Sequence, residues 1–215
     1  MTKNKWRTLC ITSLVILAPI LYGMSVYGQL PARMVTHWGA DNQPNGWMPK
    51  ALMVFGLPVL MLIFHLIAVG TTYYSDRHVQ MPQRMERFVA WIFPVITLVA
   101  YVTTIRYGLG DHINTRLWAM SLIAVILVVM GNYLPTVPAE SASRLTFGLH
   151  LPWRVTNRAG AQKTLRVLGY FYVASGVVML LSLFFSPNVS WAALILFLLG
   201  QPVILGLSYR WTTRK

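Results

Sequence analysis

Two short stretches hold most of the side chains in this sequence that could do chemistry. The first reads Leu30-Pro31-x4-Thr36-His37-Trp38, then Gly46-Trp47-x2-Lys50. Thr36, His37, Asp41 and Lys50 supply polar and charged groups there, and Trp38 and Trp47 suit a membrane–water boundary. The second reads Gly131-Asn132-Tyr133-Leu134-Pro135, then Gly148-Leu149-His150-Leu151-Pro152-Trp153, then Lys163-Thr164. These are the ingredients of recognition rather than catalysis. Serines and threonines are present, but none stands in a motif with a base, so no nucleophile constellation is recognisable. The chain is therefore read as a binder, not an enzyme.

His37, Asp41, Asp111 and His112 offer nitrogen and oxygen donors of the kind zinc accepts. Asp111 and His112 are adjacent, which usually turns side chains apart, and nothing resembles an HExxH pair on a helix. They are read as hydrogen-bonded loop residues, weak candidates for a metal, and no cofactor is expected. Arg106 and Arg116 flank Asp111 and can pair with it. His65 and Gln201 lie inside apolar runs. An ionisable group at such depth is a functional candidate, and a neutral histidine bonded to a neighbouring helix is the simpler reading, with Gln201 as a candidate partner.

These residues must be positioned by membrane helices. Six apolar stretches divide the chain, roughly Leu9–Tyr27, Ala51–Tyr74, Phe88–Tyr107, Leu117–Leu134, Val167–Phe185 and Trp191–Tyr209. Each is about the ~20 residues that cross a ~30 Å hydrocarbon core as a helix. The cations sort between them by side. Lys3, Lys5 and Arg7 precede the first stretch, and Arg77, Arg84 and Arg87 separate the second from the third. Arg144, Arg154, Arg158, Lys163 and Arg166 separate the fourth from the fifth, and Arg210, Arg214 and Lys215 follow the sixth. Those fourteen lie on one side; Arg33, Lys50, Arg106 and Arg116 lie on the other. Lys and Arg are retained on the cytoplasmic face during insertion, so both termini are expected there.

The sequence has 215 residues, is 56% hydrophobic and only 11% charged, which fits one polytopic membrane domain over residues 1–215. The formal charge of +13 is spread over four segments beside membrane ends. Retention signals and attraction to anionic lipid explain it, and no direct nucleic-acid binding is expected. Cys10 is the only cysteine, so no intramolecular disulfide can form. Lys3, Lys5 and Arg7 before an apolar run resemble a signal peptide, but the run is long and five more follow, so it is read as an uncleaved first helix.

Residues 28–50 form the long external loop, dense in Gly, Pro, Asn and Asp; with its aromatics it is expected to be compact and packed. Residues 136–166 form the long cytoplasmic loop, whose end around Gly160–Arg166 can start a helix continuing into the fifth span. Pro19 is expected to kink the first span, and Gly200-Gln201-Pro202 to interrupt the sixth. Leu-Pro pairs at 30–31, 57–58, 134–135 and 151–152 do not fall at corresponding places in two halves, so no internal repeat is found.

The two patterns together resemble the SdpI-type immunity proteins, small six-span bacterial membrane proteins. The family's external signature is matched by Leu30, Pro31, Thr36, His37, Trp38, Gly46, Trp47 and Lys50, with Val35 where proline is common, Gly39 where asparagine is common and Asn42 where glycine is common. Its cytoplasmic signature is matched by Gly131 to Pro135, Gly148, Pro152, Trp153, Lys163 and Thr164; Thr136, His150, Ala161 and Leu165 replace lysine, arginine, tryptophan and histidine. The resemblance covers nearly the whole chain. It implies an all-α fold of six transmembrane helices with a structured external loop. It also implies self-protection against a secreted, membrane-active peptide toxin, and in some relatives signalling, by holding a transcriptional repressor at the membrane. Pro31, Thr36, His37, Trp38, Asp41, Gly46, Trp47 and Lys50 would then form or support the toxin surface. Asn132, Tyr133, Pro135, Gly148, His150, Pro152, Trp153 and Lys163 would form the cytoplasmic motif. The alternatives are a membrane enzyme or transporter acting on a lipid or small solute, which would need charged groups inside the bundle, and a pure signalling anchor.

Overall fold

The computed structural model describes residues 3–39, 41–76, 82–140 and 155–213. Helices α1 (Lys3–Leu17) and α2 (Pro19–Ser25) lead to a 3₁₀ turn (Tyr27–Gln29) and an antiparallel pair of strands, β1 (Arg33–Trp38) and β2 (Pro44–Pro49). A π-helical turn (Leu52–Gly56) opens α3 (Leu57–Asp76). Then come α4 (Gln83–Gly108), α5 (Thr115–Tyr133), a 3₁₀ turn (Leu134–Thr136), α6 (Arg158–Ser182) and α7 (Pro187–Thr213).

Six of the resulting helical segments are long and apolar enough to cross a membrane: Asn4–Ser25, Leu52–Tyr73, Gln83–Gly108, Thr115–Thr136, Arg158–Ser182 and Pro187–Thr213. They fall on the six apolar stretches of the sequence. The protein is a predominantly helical, multi-pass membrane protein with, among the described residues, one two-stranded sheet, which lies between its first two spans. Leu60, Ile63 and Ile67 are exposed along α3 at helical spacing, as are Leu196, Leu199 and Val203 along α7. Apolar side chains on an outer helix face are what a hydrocarbon solvent requires.

The helices divide into two compact units. The first comprises Met1–Val69 and Val89–Ala119. Its core is Leu30, Met34, Met53, Val54, Tyr101 and Ile105, so the hairpin and the span ends share one apolar centre. The helix is interrupted at the single residue Ala18, before Pro19, within one continuous span. Pro58 has no N–H for the carbonyl of Val54, and Tyr101 Oη donates to that carbonyl instead, at 3.2 Å. A neighbouring helix thereby satisfies the backbone group that the proline frees. Gly23 is required beside this contact, because a Cβ there would collide with Tyr101.

The second unit comprises Gly70–Phe88 and Met120–Lys215. Its core includes Leu134, Leu165, Leu168, Tyr172 and Met179. A Cβ on Gly131 would lie 2.6 Å from the Gly169 carbonyl oxygen, and one on Gly176 would lie 2.7 Å from that of Ala124. Ala124 and Gly131 on α5, and Gly169 and Gly176 on α6, are each seven residues apart, so α5 and α6 approach backbone to backbone at two heights. Small residues at such crossings are the usual basis of helix packing in lipid. The expected helical start near Gly160 is found, since α6 begins at Arg158 with Asn157 Oδ1 accepting the Gly160 N–H at 3.0 Å. The expected interruption at Gly200-Gln201-Pro202 is not: α7 runs unbroken through Pro202. A proline withdraws a single ladder bond, which a long apolar helix accommodates.

Candidate functional site

Pro31 is exposed ahead of β1, and the hairpin that follows carries the first motif. Arg33 pairs with Pro49, Met34 with Met48, Val35 with Trp47, His37 with Gly46 and Trp38 with Pro44. The register shifts on both sides of His37, leaving Thr36 without a directly opposite residue. Such irregularities let a strand containing Pro44, Gly46 and Pro49 pair at all. Gly46 is needed for close approach, since a Cβ there would sit 2.9 Å from the His37 Cβ. His37 is exposed, and its Nδ1 is hydrogen-bonded to Asn45 Oδ1.

The tip is closed by its own polar groups. Gly39 N–H donates to Gln43 O at 2.8 Å, and Asp41 Oδ1 accepts the Gln43 N–H at 3.0 Å. Asn42 takes φ 62°, a left-handed conformation that asparagine tolerates better than most residues. Its side chain reaches the start of α5, where Oδ1 accepts from Thr115 Oγ1 at 2.6 Å and from the Arg116 N–H at 3.1 Å.

Two further attachments fix the hairpin to the spans. Lys50 Nζ donates to the carbonyls of Tyr27 (3.2 Å) and Leu30 (3.4 Å) and lies 4.5 Å from the Tyr27 ring centroid. Its charge thus holds the end of the first span rather than projecting as a free cation. The Trp38 ring packs edge-on against Tyr107 at 5.5 Å between centroids, and its buried Nε1–H has no hydrogen-bond partner among the described residues. Trp47 differs: its large apolar side chain stands 49% exposed on a hairpin anchored at tip and base.

Asp111 is ion-paired with Arg106. Among the described residues, no group of three or more His, Cys, Asp or Glu side chains gathers with the geometry of a metal site, so His37, Asp41, Asp111 and His112 are not brought together as one donor set. The intramembrane polar residues have other partners than each other. His65 is fully buried and its Nε2 lies 2.9 Å from Thr12 Oγ1, while Gln201 Oε1 accepts from Tyr172 Oη at 3.0 Å.

The described part of the second motif is structural in its contacts. Gly131 makes the α5–α6 crossing possible, and Asn132 Nδ2 donates back to Val128 O at 3.0 Å. The Tyr133 ring packs on Phe88 at 5.9 Å. Pro135 O accepts from Gln162 Nε2 at 2.8 Å. Lys163 Nζ lies 4.5 Å from the Trp211 ring centroid, and Arg158 pairs with Glu140 at 3.2 Å. Gly148, His150, Pro152 and Trp153 lie outside the described residues.

One feature escapes the motifs. A groove of about 810 Å³ is lined by Leu98, Val102, Arg106, Asp111, His112 and Trp118, among others. Leu98, Val102 and Arg106 recur every fourth residue on α4, a spacing visible in the sequence as one helix face.

Six spans with a hairpin fixed between the first two define a polytopic helical membrane protein. A domain of unknown function, DUF1648, matches residues 14–62, a stretch containing the whole hairpin. The chain is also 22% identical over 209 residues to a protein called Immunity protein SdpI from Bacillus subtilis (strain 168), covering 94% of each chain. The resemblance to the SdpI-type family read from the motifs therefore extends along nearly the whole length. No solved structure matches the chain.

Proposed function

We propose that this protein is a membrane immunity protein, protecting the cell that carries it from a secreted, membrane-active peptide toxin. Its termini and the fourteen clustered cations face the cytoplasm, and the hairpin faces outward, where toxin arrives. The observation that carries this reading is the anchored hairpin on which Trp47 and His37 are both exposed. A rigid aromatic held away from the core can grip an apolar peptide at little ordering cost. The printed name of the Bacillus subtilis relative supports the same role. Expression in a toxin-sensitive cell is expected to raise survival, and Trp47→Ala to reduce that gain at unchanged protein level. Equal protection by the variant would remove the hairpin from the mechanism.

The proposal extends to signalling. Residues 136–166 carry five cations and one acidic residue, Glu140, a charge balance suited to an acidic protein face. Holding a transcriptional repressor there would couple toxin capture to gene expression. A small DNA-binding protein should co-purify with the chain and be lost on changing Arg154 or Arg158; unaltered recovery would exclude this surface.

A further inference from the structure

We propose that the groove on α4 and the α4–α5 turn binds a phospholipid, with its acyl chain along Leu98 and Val102 and its phosphate at Arg106. The groove is graded in polarity along the helix. Leu98, Val99, Val102 and Thr103 precede Arg106 on α4, and Gly110, Asp111, His112 and Ile113 come from the turn beyond it. Leu98 and Arg106 are two turns apart, about 12 Å along the axis. The apolar part lies on a membrane-spanning helix, and Leu98 and Val102 are exposed, so in a bilayer hydrocarbon must cover them.

The polar end selects a headgroup. Arg106 sits in the last turn of α4, at the depth where a spanning helix meets the interface, and its side chain is 56% exposed. Its bond to Asp111 uses Nε and the Tyr22 side chain also interacts with it, while the guanidinium carries five N–H donors in all. His112 adds a third polar group beside it and is exposed. Planar, charge-assisted donation to a phosphate is what such a fork does best. Trp118 forms another wall, an amphipathic ring suited to the headgroup level. The volume lies within the range of small-ligand sites.

The test uses the full-length protein in a non-ionic detergent, with retained lipid counted by native mass spectrometry. The probes are dioleoyl-phosphatidylglycerol, dioleoylglycerol and inorganic phosphate. The phospholipid should be retained saturably and dioleoylglycerol about tenfold more weakly, the worth of one charge-assisted hydrogen bond. Inorganic phosphate should not displace the lipid. Val102→Trp fills the apolar end and should reduce retention; Leu98→Trp serves if that variant fails to fold. Arg106→Gln should weaken phospholipid retention and leave dioleoylglycerol unchanged. Asp111→Asn breaks the same ion pair while keeping the guanidinium, so it should preserve or strengthen retention. Equal losses in Arg106→Gln and Asp111→Asn would make the ion pair structural and overturn the proposal. So would equal retention of both lipids, displacement by inorganic phosphate, or full retention in a folded tryptophan variant.

Discussion

Asn42 closes a hydrogen-bonded clasp on Thr115: its Oδ1 accepts from Thr115 Oγ1 at 2.6 Å and from the adjoining Arg116 N–H at 3.1 Å. The first amides of a helix have no intrahelical acceptors. Here α5 is served twice. Asn114 Oδ1 accepts from Leu117 N–H at 3.3 Å as a local cap, and Asn42 arrives from the hairpin tip as a remote one. The tip is therefore held by the helix that it caps.

Two variants separate the roles of Asn42. Asn42→Gly keeps the left-handed backbone at φ 62° and removes the clasp; its expected loss is about 1–2 kcal/mol, typical of leaving buried or half-buried donors unpaired. Asn42→Ala removes the clasp and also strains the turn, adding about 1 kcal/mol. Thermal unfolding of detergent-purified protein should rank the parent above Asn42→Gly and Asn42→Gly above Asn42→Ala. The reverse order of the two variants would mean that backbone conformation is irrelevant at the tip.

Much of this architecture was legible in the sequence, and what was not has a common cause. The six spans show because a run of about twenty apolar residues needs no partner to declare itself. The break before Pro19 shows because the proline acts on its own helix. The hairpin shows only as a compact loop. Pro44, Gly46 and Pro49 contradict strand propensity, and pairing depends on shifts beside His37 that no alternation encodes. Lys50 looks like a recognition group, yet its bonds go to backbone carbonyls 20 and 23 residues earlier. The partner of His65 is 53 residues away in another span, and a threonine among apolar residues gives no hint of it. Motif spacing marks where special residues lie; contacts at long sequence separation decide what they do.

The crossing of α5 and α6 makes a sharp comparison among glycines. Gly131→Ala places a methyl 2.6 Å from the Gly169 carbonyl oxygen and 2.8 Å from the Val173 nitrogen, both backbone atoms that cannot swing aside. Overpacking of this kind costs about 1–3 kcal/mol. Gly70→Ala meets nothing within 4 Å and lies within α3, so improved helix propensity should make it neutral or stabilising by up to about 1 kcal/mol. Unfolding midpoints of the two variants in the same detergent should move in opposite directions, or Gly70→Ala should stay unmoved while Gly131→Ala falls. A stable Gly131→Ala would show that the helices can separate freely.

Tyr101 and Pro58 should be energetically coupled. Tyr101→Phe keeps the ring and removes the hydroxyl that donates to Val54 O, leaving a buried carbonyl short of a partner at a cost of about 1–2 kcal/mol. Pro58→Ala returns an N–H to the helix ladder four residues after Val54. With alanine at 58, loss of the Tyr101 hydroxyl should matter less. A double-mutant cycle measured by reversible unfolding should give an interaction energy of about 0.5 kcal/mol or more. Strict additivity would show that the tyrosine acts by packing alone.

Thr12 and His65 pose the same question inside the hydrocarbon region. A threonine hydroxyl carries one proton, and Thr12 Oγ1 lies 2.9 Å from Thr8 O as well as 2.9 Å from His65 Nε2. With that O–H donated to Thr8 O, Thr12 Oγ1 accepts from His65 Nε2–H; Nδ1 is buried with no hydrogen-bond partner among the described residues. Thr12→Val would strip the ring of its hydrogen bond and leave both nitrogens unpaired in an apolar setting. Removing one member of a buried polar pair costs about 1–3 kcal/mol, whereas replacing both by apolar groups of similar shape can be nearly neutral. Thr12→Val should thus destabilise clearly, and Thr12→Val combined with His65→Leu should recover most of the loss. That recovery, read as the unfolding midpoint of the double variant against Thr12→Val alone, identifies the pair as a latch between helices. A double variant as unstable as Thr12→Val would mean that His65 stabilises the span through a contact other than Thr12.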